Sequence, residues 1–356
     1  MRHDPAGVPL PNRIRHAFRA RYLLAGICGL SLLAAAGCGS PGSAGGTVSS
    51  TVTIADVPGV DDAGIYLAQK DGLFAAEGLS NVRIVRYTSQ AGVLSAIQSG
   101  RADIAASDYG DVFWTEATSP AHLRILADGY DCSAGVLEVL TLPKNPLSPL
   151  SLADPSVRVG IPNDDWLLKL KGSGAAPSLE AAAATNVLSN YLGNGAKSVQ
   201  WVPMRQSDEI AQLKQRNVQA ILVNEPYIYQ AESNDGAVET LDACSGSTAG
   251  LPLLGYVATN AWVRDNPAAV ADFQAALAKA QAEAAVTGKV QAVLPSAGIS
   301  TKTADLITIG SYPTSTIIPN LEAVVRLMGN WGMINETDTR VQAATAVPPM
   351  MVNPGS

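Results

Sequence analysis

The chain has 356 residues, of which 47% are hydrophobic and 15% charged, and this composition supplies enough apolar material for a large folded core. Its 24 basic side chains are outnumbered by 31 acidic ones, and the net charge of −7 argues against binding to nucleic acid phosphates. Three histidines and four cysteines leave few residues for a metal site of these ligand types, so we expect no metal or cofactor.

Residues 1–37 have the pattern of a secretory signal peptide. Five arginines precede a charge-free apolar run of 15 residues, 22–36, and a helix needs about 20 residues to span a bilayer. The sequence AAGC at residues 35–38 resembles the bacterial lipobox, in which the cysteine carries diacylglycerol, although the lipobox usually has leucine where this chain has Ala35. We therefore expect a lipid on Cys38 at the outer face of the cytoplasmic membrane, with ordinary signal-peptide cleavage as the alternative.

Removal of this segment leaves an acidic body with a net charge of −11 and one histidine, His122. Residues 38–50 are rich in Gly and Ser and predict a flexible linker between the lipid and the body. In an oxidising compartment, Cys132 and Cys244 are expected to form a disulfide, and two buried free thiols are the alternative. His122 lies between a predicted helix and a predicted strand, which favours a surface turn over a catalytic role.

From Thr51 onward, short β-branched strands alternate with Ala-rich helices. The first strand is predicted at 51–55, and the helices at 63–71 and 91–99 end at glycines, whose freedom to take a positive φ suits a helix end. A further buried strand is predicted at 102–106. Strand–helix–strand units in series predict an α/β fold with mostly parallel sheets covered by helices.

A second α/β half follows a proline-rich connector at 143–155. Its clearest unit is a helix at 208–216, a turn at Asn217 and a strand at 219–223. A strand near 253–259 and a long helix at 267–285 are expected to return to the first half, so that two segments cross a hinge. The predicted boundaries are 51–140 with 254–356 for lobe 1, and 141–253 for lobe 2.

Several motifs carry a family resemblance. The run GIYLAQKDGLFAAEGL at 64–79 resembles the opening signature of the solute-binding proteins of ABC importers for alkanesulfonates, taurine, nitrate and thiamine-precursor pyrimidines. The pattern Leu94-x-x-Ile97-x-x-Gly100-x-x-Asp103, the strand at 157–160, the AILVNEP run at 220–226 and the helix start at 266–270 are similar to later elements of that group. This resemblance covers roughly 51–340 and implies a two-lobed periplasmic-binding-protein fold of type 2.

Two departures from the family pattern bear on the ligand. The second-lobe turn, usually Gly-x-x-Asp, reads RNVQ at 216–219, and the usual Gly/Ser/Thr-rich loop after Gly160 reads PNDDW at 162–166. Two carboxylates beside a bound sulfonate or nitrate would repel it, so this loop favours a neutral, polar or cationic solute.

Candidate ligand contacts are residues just past predicted strand ends, because open α/β sheets bind ligands at the carboxyl ends of their strands. The segments concerned are 57–62, 107–109, 129–131, 163–166, 204–206 and 224–227. Within them the candidates are Asp61, Asp62, Ser107, Asp108, Tyr109, Tyr130, Asp164, Trp166, Glu225 and Tyr227. The aromatic rings can stack on a planar solute. Alternatively, Asp61 and Ser107 cap helices, and Trp166 packs between the lobes.

The sequence therefore predicts a monomeric, lipid-anchored solute-binding protein that closes on a small molecule and docks on an ABC permease with a separate ATPase. Two alternatives remain open: an extracytoplasmic enzyme that uses a carboxylate pair, and a sensor or scaffold lipoprotein. No nucleophile with an adjacent base and no hydrolase or phosphate-loop motif is present in the sequence, so we expect no enzymatic activity.

Overall fold

Helices and strands alternate along the chain in the order that the sequence indicates. The computed structural model describes residues 51–118, 121–162, 178–335 and 337, all within one compact unit. The strands are β1 Val52–Asp56, β2 Val82–Arg86, β3 Ile104–Asp108, β4 Leu123–Asp131, β5 Leu137–Thr141, β6 Arg158–Pro162, β7 Gln200–Met204, β8 Ala220–Asn224, β9 Val238–Asp242 and β10 Pro252–Thr259. The helices are α1 Ala63–Lys70, α2 Leu73–Ala76, α3 Gln90–Gln98, α4 Tyr109–Thr118, α5 Leu179–Leu192, α6 Gln206–Lys214, α7 Tyr227–Asp235, α8 Asn260–Asp265, α9 Pro267–Ala284, α10 Thr287–Gln291, α11 Thr301–Ala304 and α12 Ile318–Asn330.

The strands form two five-stranded sheets with the same topology. The first sheet has the order β2-β1-β3-β10-β4 and the second the order β7-β6-β8-β5-β9. In each sheet three neighbouring strands run parallel, and the fourth strand in the order is antiparallel to its neighbours. The prediction of two α/β halves with mixed, mostly parallel sheets is confirmed.

The antiparallel strand of each sheet arrives from the other half of the chain. After β4 of the first sheet the chain crosses to β5 of the second, and after β9 it returns to β10 of the first. The first crossing therefore lies between Asp131 and Leu137, which corrects the predicted lobe boundary at 140/141. Backbone pairing of β5 with β8 and β9 decides its sheet, and the composition of a short buried strand does not reveal its partners.

The two halves share one turn geometry. Gly100 and Arg216 both have positive φ, +70° and +61°, so an arginine takes the left-handed conformation that glycine adopts more readily. The backbone N–H of Thr53 donates to Asp103 Oδ2 at 2.8 Å, and that of Arg158 donates to Gln219 Oε1 at 2.9 Å. The second half therefore forms the same turn and the equivalent backbone-to-side-chain hydrogen bond, although its residues depart from the Gly-x-x-Asp pattern.

A disulfide joins the two crossings, as predicted. Cys132 follows β4, Cys244 follows β9, and their Cα atoms are 5.0 Å apart. Backbone bonds reinforce the junction, because Cys132 N–H donates to the carbonyl of Leu251 at 2.8 Å and Cys132 C=O accepts from Gly250 at 2.7 Å. The hinge region is thus a pair of neighbouring, cross-linked segments.

Helices cover the first sheet and bury most of their apolar faces against it. Phe273 of α9 is fully buried and lies between Phe74 and Tyr256, at ring-centroid distances of 6.0 and 5.5 Å. His122 is exposed and has a positive φ of 51°, in agreement with the predicted turn. Among the described residues no helix is both long and apolar enough to cross a membrane. The predicted signal peptide, linker and Cys38 lie outside the described residues.

Candidate functional site

A cleft of about 690 Å³ opens where strands of both sheets end. One wall comes from the segments after β1 and β3, and the other from the segments after β6, β7 and β8. Parallel strands of one sheet end at the same edge, so their following loops converge, and here the edges of two sheets converge on one space. The volume is in the range of sites that hold small molecules.

Five of the predicted contact residues line this cleft. They come from both halves of the chain and comprise Asp61, Asp108, Tyr130, Glu225 and Tyr227. Their positions follow from their placement at strand ends, since Asp108 is the last residue of β3 and Glu225 directly follows β8. The prediction that ligand contacts follow the ends of strands therefore identified residues on both walls of the cleft.

Three other predicted residues lie in the interior and do not line the cleft. Tyr109 is fully buried, its ring stacks on Phe113, and its hydroxyl donates to Asp128. Ser107 and Asp62 are also fully buried. Asp62 is the residue before α1 and makes no side-chain capping bond. The direction of a side chain at a strand-to-helix junction depends on the local backbone rotation, which residue order alone does not give. Asp164 and Trp166 lie outside the described residues.

The cleft also contains residues that the strand-end argument missed. Glu180 lies in the first turn of α5, and Ser178, the N-cap of that helix, accepts the backbone N–H of Ala181 at 3.1 Å. Residues 297–300 and Thr303 reach the cleft from the C-terminal third of the chain. Serine is a residue type that favours a helix N-cap, so the start of α5 at Ser178 could have been predicted from the sequence. No sequence pattern indicates that residues 297–303 line the cleft.

Tyr130 lines the cleft with little exposed surface. The side chain is 5% exposed and packs edge-on against Tyr312 with centroids 5.0 Å apart. Its oxygen accepts the N–H of Gly310 at 2.8 Å, and a Cβ at Gly310 would lie 2.5 Å from that oxygen. Because the ring is covered, Tyr130 has little exposed ring surface for the predicted stacking on a planar solute.

Glu225 connects the second sheet to the C-terminal segment. Its Oε2 accepts the N–H of Tyr229 at 3.1 Å and its Oε1 accepts the N–H of Thr308 at 2.9 Å. Burial raises the pKa of this carboxyl, and the two N–H groups oppose that rise. Glu225 is therefore held in place at the cleft wall.

Three carboxylates cluster where β1 leads into α1. Asp56 accepts the hydroxyl of Tyr66 at 2.7 Å, while neither oxygen of Asp62 has a hydrogen-bond partner among the described residues. Loss of solvent raises the pKa of Asp61 to about 6, and the charges of Asp56 and Glu180 add to this rise. Burial likewise raises the pKa of Asp62 well above its ordinary value. The wall of the cleft is thus rich in carboxyl groups, and those with a raised pKa keep their proton to a higher pH than an ordinary carboxyl.

Among the described residues, no three or more His, Cys, Asp or Glu side chains are arranged so that they could hold a metal ion. A hydrogen-bonding, acid-lined cavity between two sheets is suited to reversible binding of a polar solute, because carboxylates accept several bonds and a two-walled cleft can surround the solute.

The chain is similar to known proteins in part of its sequence and in its fold. Residues 60–147 match the family described as NMT1/THI5 like. The structure is similar to the alkanesulfonate-binding protein SsuA from Xanthomonas axonopodis pv. citri bound to MOPS, with a TM-score of 0.61 and 13% identity over 80% of this chain and 94% of that chain. It is similar to the periplasmic nitrate-binding protein NrtA from Synechocystis PCC 6803, with a TM-score of 0.63 and 12% identity over 84% and 86%.

The fold is that of a periplasmic binding protein. The expected resemblance is therefore supported for the fold, and for residues 60–147 by the family match as well. A DszB variant in complex with biphenyl-2-sulfinic acid is also similar, with a TM-score of 0.59 and 15% identity over 83% of this chain and 96% of that chain. Several of the similar structures are described as binding proteins. Among curated proteins no sequence matches this chain.

Proposed function

We propose that this protein is the solute-binding component of an ABC importer and captures a small solute in the cleft between its two sheets. The observation that carries the proposal is that the cleft draws its walls from both lobes, which are joined by two cross-linked crossings. A solute that contacts both walls favours the closed arrangement by its greater affinity for that state, and no covalent chemistry is needed. Delivery to a permease is part of this proposal, supported by the similarity of the fold to a ligand-binding component of an ABC-type import system from Staphylococcus aureus.

A thermal-unfolding screen tests the proposal. The protein carrying Cys38→Ser, which prevents lipidation, is unfolded in the presence of alkanesulfonates, nitrate, pyrimidines, amines and amino acids. A true solute at 100 times its dissociation constant stabilises the folded state by about 2.7 kcal/mol, which raises the Tm by several degrees. If no member of any class raises the Tm, the solute-binding role is wrong, and a sensor or scaffold role gains support.

Membrane attachment through Cys38 is the second part of the proposal. The AAGC sequence at 35–38 and the linker that follows it support attachment. Expressed in a bacterial host, the protein should fractionate with the membrane and incorporate a labelled fatty acid, whereas Cys38→Ser should do neither. Unchanged fractionation and labelling of the variant would contradict an anchor at this residue.

An enzyme on the same fold is the competing candidate, favoured by the paired carboxylates with raised pKa. Its signature is turnover. Incubation of each stabilising compound with the protein, followed by mass spectrometry, should return the compound unchanged if the protein only binds it. Product formation that Asp61→Asn abolishes would support the enzyme instead.

A further inference from the structure

A second cavity, of about 410 Å³, lies beside the second sheet at the edge opposite the cleft. Val218 and Gln219 line it and directly precede β8, whereas Asn224, the last residue of that strand, lines the cleft. Residues 142–145 provide another wall, because β5 is antiparallel to β8 and ends at this edge. The volume is sufficient for a small organic molecule.

The lining of this cavity combines buried apolar side chains with exposed basic ones. Leu213 and Val218 are 2% and 1% exposed and belong to the core of the second lobe. Three exposed side chains of the lining are basic, namely Lys144, Lys214 and Arg216. The cavity therefore offers an apolar surface next to positive charge.

Two of the three basic side chains are not neutralised by a neighbour. Nζ of Lys214 lies 2.5 Å from Oδ1 of Asp235, the one acidic residue of the described lining. Among the described residues, neither Lys144 nor Arg216 forms an ion pair. The whole chain has a net charge of −7, so this cavity reverses the sign of the surrounding charge and attracts anions locally.

Arg216 occupies a backbone position that favours glycine. Its φ is +61°, and the equivalent turn of the first half has Gly100 with a φ of +70°. Where the first half has Asp103, the second has Gln219, and both accept a backbone N–H. One exchange adds a positive charge and the other removes a negative charge, so this edge is more positive by two charges than its counterpart. Residues held in less favoured backbone conformations cluster at functional sites.

The helix end before this turn accounts for Lys214 and not for Arg216. Lys214 lies in the last turn of α6, where the helix dipole favours a cation, and that effect falls off beyond the last turn. Arg216 follows the helix, and Gln219 fixes its turn. Nε2 of Gln219 donates to the carbonyl of Arg216 at 3.2 Å, and its Oε1 accepts the N–H of Arg158 at 2.9 Å. The backbone of Arg216 is therefore held in place before any ligand arrives, which lowers the entropy cost of binding.

We propose that this cavity binds a small organic anion whose negative group is held by Arg216 and Lys144 while its apolar part lies against Leu213 and Val218. A guanidinium binds a carboxylate or a phosphate through two parallel hydrogen bonds, and an ammonium group adds a further charged contact. The inference goes beyond the solute-binding function proposed above, because this cavity shares no described lining residue with the cleft.

Calorimetric titration of the Cys38→Ser protein with matched probes tests this inference. Benzoate and phenyl phosphate combine an anionic group with a ring, benzamide is a neutral analogue of benzoate, and inorganic phosphate lacks the ring. Benzoate or phenyl phosphate should bind. Benzamide and inorganic phosphate should bind at least about tenfold more weakly, because each lacks one of the two contacts. The tighter of the two anionic probes identifies the preferred group as carboxylate or phosphate.

Substitutions at the cavity test the assigned residues. Arg216→Gly should weaken binding about 10- to 100-fold, as expected for loss of a charged hydrogen-bonding partner. Because glycine suits the positive φ, this variant should remain folded with no fall in melting temperature. Lys144→Gln should also weaken binding. Arg326→Gln, which changes an exposed arginine of α12 paired with Glu322, is the matched control and should leave the affinity unchanged.

A substitution in the cleft distinguishes the two sites. Arg205 lines the cleft and is 80% exposed, so Arg205→Gln should leave probe binding unchanged. If it weakens binding as much as Arg216→Gly does, the probe occupies the cleft, and the second site is wrong while the solute-binding role stands. Equal affinity for benzoate and benzamide, or no binding of either anionic probe, would also overturn the second site. Failure of the solute screen described above would contradict the solute-binding role alone.

Discussion

Replacement of Asp61 by Asn should stabilise the unliganded protein, although the residue belongs to the proposed binding cleft. The pKa of this carboxyl is raised from 3.8 to about 6 because folding withdraws it from water and places it near Asp56 and Glu180. A carboxyl with this difference destabilises the folded state by about 3 kcal/mol when fully ionised. Solvent screening at the partly exposed cleft wall reduces the effect, so we expect a gain of about 1–2 kcal/mol.

The upward direction of the pKa shift determines the pH range in which the Asp61 carboxyl destabilises the folded state. Below the unfolded pKa of 3.8 the carboxyl is protonated in both states, and the penalty is absent. It grows as the pH rises through the interval up to about 6 and is complete above that value. Asp61→Asn should therefore raise the free energy of unfolding at pH 7.5 and have no such effect at pH 3.5.

Urea denaturation of both proteins at the two pH values measures this difference. Asp305→Asn, at an exposed position on the surface, is the matched control and should shift neither midpoint by more than a few tenths of a kcal/mol. If Asp61→Asn lowers the unfolding free energy at pH 7.5, or if its gain is the same at both pH values, the assignment of repulsion at this site is wrong.

Three further predictions concern the fold. Replacing both Cys132 and Cys244 by Ser should lower the unfolding free energy by about 2–5 kcal/mol, because the bond closes a long loop with a sequence separation of 112 residues; reductant should affect the parent protein and leave this variant unaffected in urea denaturation. Tyr66→Phe should cost about 2 kcal/mol at pH 7.5, because it removes the hydrogen bond to the buried Asp56; a stability equal to that of the parent would show that this bond contributes little. Arg216→Gly should raise the melting temperature slightly, by relieving about 1 kcal/mol of positive-φ strain, and a lower melting temperature would contradict the strain argument.

Local signals in the sequence were sufficient to predict the α/β class and the cysteine pair. Glycine-terminated helices and β-branched strands depend on the backbone preferences of neighbouring residues, and these act without the rest of the fold. The strand-end rule similarly located Asp61 and Glu225, because it concerns positions along a strand. The predicted helix at 267–285 agrees with α9, Pro267–Ala284, for the same reason.

Tertiary structure alone decided which side chains meet. Strand β5 was assigned to the first lobe from its place in the chain, yet its hydrogen bonds put it in the second sheet. Tyr109 follows Asp108 directly, but it turns into the core while Asp108 lines the cleft. Glu180 lines the same cleft as Asp61, although more than a hundred residues of chain separate the two. Such meetings depend on long-range packing and on side-chain direction, which changes with a shift of one residue, so local sequence patterns do not determine them.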